Sequence, residues 1–322
     1  MNYLKNIDKI KASFQISKVP ASSFFASVVS KKLILIALIS CAGIFFSINE
    51  SKANHLLGGY IRWEHVSGDS FNFYLHVYRD CSEQEIKNPV LKGFDLNGGS
   101  EIFSLTNVLP VSCNKITPVC KGQCTPCTGT CNDINSNSNC KFNSGIEEVI
   151  FQYAYRFSNS DPCSIRLSFT QLLYESTTSN LSGSNNFYIE STFDKCSKKD
   201  APKFFSSPYT LHTIGQDYKL NLSSYNSQAD SITYSLKSPK TGPGSNVSFD
   251  SPYTFDKPIR FTDFPNSTKS FPSGFHFNKY TAQLEFRPIR SESSYIGYEA
   301  LQYHNGNAIG SILHVFPLTI TS

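Results

Sequence analysis

Four cysteines fall within twelve residues in CKGQCTPCTGTC, residues 120–131, with Cys113 shortly before and Cys140 shortly after. Three chemistries are open to such a run. The spacing Cys120-x3-Cys124-x2-Cys127 matches one that holds an iron–sulfur cluster in a large enzyme class. Four thiolates could also close tetrahedrally around Zn²⁺, and closely spaced thiols in an oxidising compartment become disulfides. The surrounding chain decides among them. The iron–sulfur reading requires a reducing cytosol and an α/β barrel. A structural zinc site usually pairs two short cysteine knuckles, and only Cys124-x-x-Cys127 is one. A thioredoxin-like role for that pair needs a helix start in an α/β fold.

The compartment is written upstream. Lys31 and Lys32 precede LILIALISCAGIFFSI, an apolar run at residues 33–48, and Ser51-Lys52-Ala53 places small residues at a cleavage site. This is the pattern of a secretory signal peptide, and the run is shorter than the roughly 20 residues that span a bilayer. Leu38-Ile39-Ser40-Cys41 resembles a bacterial lipobox, which would make Cys41 a lipid anchor and the chain's one attachment to a membrane. The apolar run continues past Cys41, which favours cleavage after Ala53. Residues 1–53 hold seven of the 29 basic residues and two of the 25 acidic ones, so the remainder is close to neutral. Nothing in it suggests nucleic acid as a partner.

An exported chain turns the cysteines into disulfide candidates: Cys81, Cys113, Cys120, Cys124, Cys127, Cys131, Cys140, Cys163 and Cys196. Crosslinks restrain the unfolded state of a polar loop that has no core of its own. Nine is odd, so one thiol is left over, buried as a small hydrophobe or joined to a partner.

The elements that must carry these residues are strands. Phe71, Phe73, Leu75 and Val77 alternate with Asn72, Tyr74 and His76 in FNFYLHVYRD, residues 71–80. The same period of two runs through VIFQYAYRF (149–157), SIRLSF (164–169), NFYIES (186–191), YKLNL (218–222), SITYSL (231–236), AQLEF (282–286) and GSILHVFPLTI (310–320). No window shows a sustained helical pattern. The expectation is an all-β chain of two antiparallel, immunoglobulin-like β-sandwich domains. After the leader of 1–53, the first domain spans 54–200 with a Cys-rich loop insertion at 113–140. The second, without cysteines, spans 201–322, beyond a charged, Pro- and Ser-rich boundary at 195–208.

HLLGGYIRW followed by YLHVYRDC resembles the opening of a family of exported Bacteroidota proteins, through His55, Gly58, Gly59 and Ile61, then Tyr78, Arg79, Asp80 and Cys81. ADSITYSL (229–236), SPYTFDKPI (251–259), FNKYTAQLEFRP (277–288) and QYHNGNAIGSIL (302–313) are similar to the family's following immunoglobulin- or cadherin-like module. The resemblance implies a surface protein linked to gliding motility and adhesion. Such proteins often end in a sorting domain for type IX secretion, whereas this sequence stops at PLTITS. Related modules often carry a carboxylate-rich calcium loop ahead of the 231–236 strand. Here only Asp230 is acidic in Asn226–Ile232, too little negative charge to hold the ion.

Catalytic signatures are sparse. No two of the seven histidines (55, 65, 76, 212, 276, 304, 314) sit in ligand spacing, and adjacent Glu147 and Glu148 should face opposite sides of a strand. There is no nucleophile elbow, phosphate loop or zinc-protease helix, and no cofactor is expected. Aromatics offer a candidate binding face at Tyr74, His76 and Tyr78, one side of one strand, set against the simpler expectation that a neighbouring element covers them. The function expected is a non-catalytic structural or adhesive module, located in the periplasm, at the outer membrane or on the cell surface, with a protein or glycan partner at the envelope. The alternative is a carbohydrate-active or other envelope hydrolase, which two carboxylates about 5–10 Å apart in one pocket would favour.

Overall fold

A computed structural model describes residues 55–80, 86–117, 145–174, 178–183, 185–205 and 211–322. The leader with Cys41, and Cys81, Cys120, Cys124, Cys127, Cys131 and Cys140, lie outside the described residues, as does all of the 113–140 loop beyond Thr117. No α-helix occurs among the described residues. The first half contributes β1 (His55–Ser67), β2 (Ser70–Asp80), β3 (Leu91–Asp95), β4 (Glu101–Leu105), β5 (Pro110–Lys115), β6 (Ile146–Arg156), β7 (Ser164–Tyr174) and β8 (Asn186–Asp194). The second contributes β9 (Lys203–Phe204), β10 (Leu211–Thr213), β11 (Tyr218–Asn221), β12 (Ser224–Tyr225), β13 (Ser231–Lys237), β14 (Lys240–Gly242), β15 (Ser245–Asn246), β16 (Phe275–Phe277), β17 (Gln283–Phe286), β18 (Glu292–His304) and β19 (Asn307–Thr321).

Pairing is antiparallel apart from two short parallel contacts, β1 with β7 and β10 with β19. The main sheet runs β13-β18-β19-β8-β7-β1-β2-β6-β5 and curls into a half-barrel. The curl comes from β19, which pairs with β18 along its length, with β8 at Gly310–Ile312, and with β1 at Val315↔Gly59. The Gly58-Gly59 pair permits that last contact. A Cβ on Gly58 would stand 2.3 Å from the Val315 carbonyl oxygen and 2.9 Å from Phe316 Cα, and one on Gly59 2.3 Å from the His76 carbonyl oxygen. Only the missing side chains let β1 sit against β19 and β2 at once.

Two hydrophobic clusters flank β19. One is built mainly from β1, β2, β6, β7 and β8, around Trp63, Phe73, Phe151 and Leu167. The other is built from the C-terminal strands and the segment before β16, around Phe261, Leu284, Phe286 and Phe316. β19 serves both, through Leu313 and Val315 on one side and Phe316, Leu318 and Ile320 on the other. The described residues belong to one compact unit, Lys52–Ser322. Within the expected boundary segment, Asp200 is tied to both halves. Its carboxylate accepts from the His65 N–H at 2.8 Å and its carbonyl from Asn226 Nδ2 at 2.7 Å and Gln302 Nε2 at 3.1 Å.

At the seam stands a polar stack. His314 of β19 contacts Tyr298 of β18 through Nδ1 at 2.9 Å and Tyr78 of β2 through Nε2 at 3.2 Å, while Tyr298 donates to the Leu222 carbonyl at 3.1 Å. All three contacts are satisfied when His314 carries its proton on Nδ1, donates to Tyr298 and accepts from Tyr78, a neutral ring. Burial holds its pKa well below the usual histidine value, and nearby His76 adds to this. His76 lies against Tyr60, rings 4.3 Å apart, with Glu148 at 2.9 Å and the Arg62 Nε at 3.3 Å. Burial lowers its pKa too, partly offset by Glu148. Near the C-terminal end of the sheet, burial takes His212 down to about 4. Glu147 and Glu148 do diverge, Glu147 meeting Arg79 at 2.8 Å and Glu148 meeting His76.

Two cysteines resolve as a pair. Cys163–Cys196 is a disulfide joining the start of β7 to the 3₁₀ turn after β8, and Cys113 is also disulfide-bonded.

Two outcomes follow. Gly58→Ala must push β19 away and should cost about 2–3 kcal/mol. Gly68→Ala, strained at φ +56° but in open space, should cost only about 1 kcal/mol. Thermal melts showing equal losses would contradict the close-approach account. For pH, the three histidines have folded pKa values below the unfolded value near 6.5. The unfolded chain then takes up protons first, so stability is complete above about pH 6.5 and declines as pH falls below it. The loss approaches 1.4 kcal/mol per pH unit for each histidine, to about pH 4 for His212. Urea midpoints should therefore drop between pH 7 and pH 5, and a constant midpoint would contradict neutral burial.

Candidate functional site

A half-open cleft of about 320 Å³ lies on the face of β18, β19 and β8 away from the C-terminal cluster. It arises where the sheet forks. β8 pairs with β19 through Ser191–Phe193, but further along, at Tyr188, its partner is Lys240 of β14, because β19 has turned toward β1.

Strand register brings its groups together. Glu299 of β18 lies opposite Leu313 of β19. Carrying the β8–β19 register one step past Ile312↔Ser191 brings Glu190 level with Leu313 on its other side. Directly opposed residues share a face, so Glu299, and Glu190 from the β8 side, project to the same side of the sheet around Leu313. Ser311 sits two residues along the same floor and meets Thr192 of β8 at 2.9 Å.

Each carboxylate has its own lysine. Lys240 pairs with Glu190 through Oε1, and Tyr188 donates to Glu190 Oε2 at 2.8 Å. Burial, then the neighbouring Glu190 charge, raises the Tyr188 pKa and keeps this donor protonated. Across the floor Lys237 lies 3.3 Å from Glu299 Oε2. Lys237 and Lys240 are three residues apart yet serve opposite walls, since the chain crosses at Ser238-Pro239. The crossing runs over Gly297, where a Cβ would stand 2.6 Å from the Lys237 carbonyl oxygen. Phe255, 44% exposed, lines the cleft with Asn246.

The candidate aromatic face lies elsewhere. Tyr78 and His76 are buried at the seam beneath the C-terminal strands. Tyr74 remains half-buried at the open end, its ring capped by the Arg62 guanidinium at 4.1 Å, and Arg62 also bonds Glu64 at 2.6 Å. Glu64 is held down at about 2: burial opposes this and is outweighed by hydrogen bonds from Arg62 and Lys203. Sequence reasoning missed Glu190, Lys237, Lys240, Phe255 and Glu299, which come from well-separated segments. Their one signal was period-two placement of charge on strands, common to any solvated face.

Asp230, the one acid in Asn226–Ile232, caps the β18–β19 turn, meeting His304 Nδ1 at 3.2 Å and the Asn305 N–H. Cys163, Asp194 and Cys196 bring ligand-type atoms together, but both sulfurs are consumed by the disulfide. No family model and no curated protein matches this chain.

Proposed function

We propose that the chain is a non-catalytic exported protein of the cell envelope, a structural or adhesive binding module of the kind linked to gliding motility and surface adhesion. The observation that carries it is the cleft. Its two carboxylates are each tied to a lysine ammonium, giving fixed recognition groups on its walls. The Cys163–Cys196 disulfide suits an oxidising compartment. The two hydrophobic clusters support two sandwich-like modules, 54–200 and 201–322, packed against one another through β19. The N-terminal resemblance favours a location in the periplasm, at the outer membrane or on the surface, with a protein or glycan partner.

A second reading, an envelope hydrolase acting on carbohydrate, is favoured by two carboxylates, Glu190 and Glu299, lining the same cleft.

Fractionation of native cells, with crosslinking to capture neighbours, tests the first reading. The protein should appear in the envelope or extracellular fraction with Cys163 and Cys196 oxidised. A cytosolic, reduced protein overturns it, and release of reducing sugar from polysaccharide, abolished in Glu190→Gln, replaces it with the hydrolase.

A further inference from the structure

The cleft is charge-balanced, with Lys237 and Lys240 against Glu190 and Glu299, and both pairs closed. An anion such as a phosphate would face two carboxylates, and a metal ion two ammonium groups. Either would have to break an ion pair on entry and leave a charge without its partner. A neutral ligand carries no such cost. It can use the donors and acceptors each pair leaves over, since an ammonium has three N–H groups and a carboxylate about four acceptor sites.

Position narrows the class. Between the two charge pairs lies an apolar strip at Leu313, flanked by the Ser311 hydroxyl, with the partly exposed Phe255 ring and the Asn246 amide on the lining. A pyranose ring has the complementary layout, with C–H groups on its faces and hydroxyls around its edge. Each hydroxyl both donates and accepts, so neighbouring hydroxyls can bond a carboxylate and an ammonium together by charge-assisted bonds. The cleft's volume of about 320 Å³ is at the small end of ligand pockets and suits a short saccharide. An extended peptide is also neutral along its backbone, but it seeks a free strand edge. Here the β8 edge is already taken by β19 and β14.

We infer that this cleft binds a neutral saccharide, its ring packed against Leu313 and Phe255 and its hydroxyls spanning the Glu190–Lys240 and Lys237–Glu299 pairs. The inference rests on the binding role proposed above and specifies its ligand.

The test is an array of neutral, sialylated and sulfated oligosaccharides probed with the purified, disulfide-intact protein, followed by titration calorimetry with the best neutral glycan. Neutral glycans should bind. Phe255→Ala and Glu299→Gln should each weaken binding about tenfold or more with little change in melting temperature, because Phe255 is exposed and the Lys237–Glu299 pair is partly solvated. Raising salt from 50 to 500 mM should change affinity by less than about threefold, as expected where no net charge is neutralised. Absence of binding to any arrayed glycan overturns the inference. Preference for sialylated or sulfated glycans, a Phe255→Ala variant that binds normally, or selection of peptides over glycans in a parallel peptide display does so too. Failure here, with the protein still found in the envelope, leaves the general binding role intact. Binding of a neutral glycan followed by its cleavage supports the saccharide site and overturns the non-catalytic role.

Discussion

A strand that two hydrophobic clusters share must be approached by backbone from several sides, and β19 meets this demand. From Ile309 to Leu318 it is buried without interruption, and it takes partners from β18, β8, β1 and β10. Such a strand need not alternate polar and apolar residues, because both its faces are largely covered. It also cannot carry side chains between itself and β1, which is why Gly58 and Gly59 stand where the two backbones meet. The His-x-x-Gly-Gly-x-Ile and Tyr-Arg-Asp stretches therefore do structural work: the glycines admit β19, Tyr78 anchors His314, and Arg79 neutralises buried Glu147.

The cleft is a consequence of the same constraint. Because β19 leaves β8 to reach Gly59, the edge of β8 is free for Lys240, and the space between becomes the cleft floor at Leu313. Had β19 continued along β8, Leu313 would have a flush neighbour and the two glutamates would lie on a flat sheet face. The N-terminal glycine pair and the charged cleft are thus coupled through one strand's change of partner.

This explains what was legible. All eight runs with period two fall on strands; most have one buried and one more open face, while β8 and β19 are largely covered on both. β18 was missed, since Tyr295, Ile296, Tyr298 and Ala300 are buried on both faces and erase the alternation. β1 was missed because two adjacent glycines read as a motif or turn. The pairing of Cys163 with Cys196 depends on β7 and β8 being a hairpin, a tertiary fact. The cleft needed register across five strands, β8, β13, β14, β18 and β19, and a Lys or Glu on a strand looks the same in sequence whether it borders a cleft or open water. What covers Tyr78 is more than 200 residues away in His314, and no local pattern reveals it.

The aromatic surplus finds its account in the same irregularity. A sheet that forks and curls leaves carbonyls without ladder partners, and a buried carbonyl without a donor is costly. Tyrosine brings apolar area and a terminal donor in one side chain. Tyr153 donates to Pro89 at 2.9 Å, Tyr174 to Lys240 at 2.9 Å, Tyr295 to Leu56 at 2.7 Å and Tyr298 to Leu222 at 3.1 Å. Each accepting carbonyl lies at a strand end or in a connection, where the ladder stops. Phenylalanine would fill the same volume and leave those oxygens bare. Buried tyrosine here stitches the ends of strands into the two clusters, and among the cleft's lining residues the one aromatic side chain is Phe255, a ring with no polar atom to satisfy inside the protein.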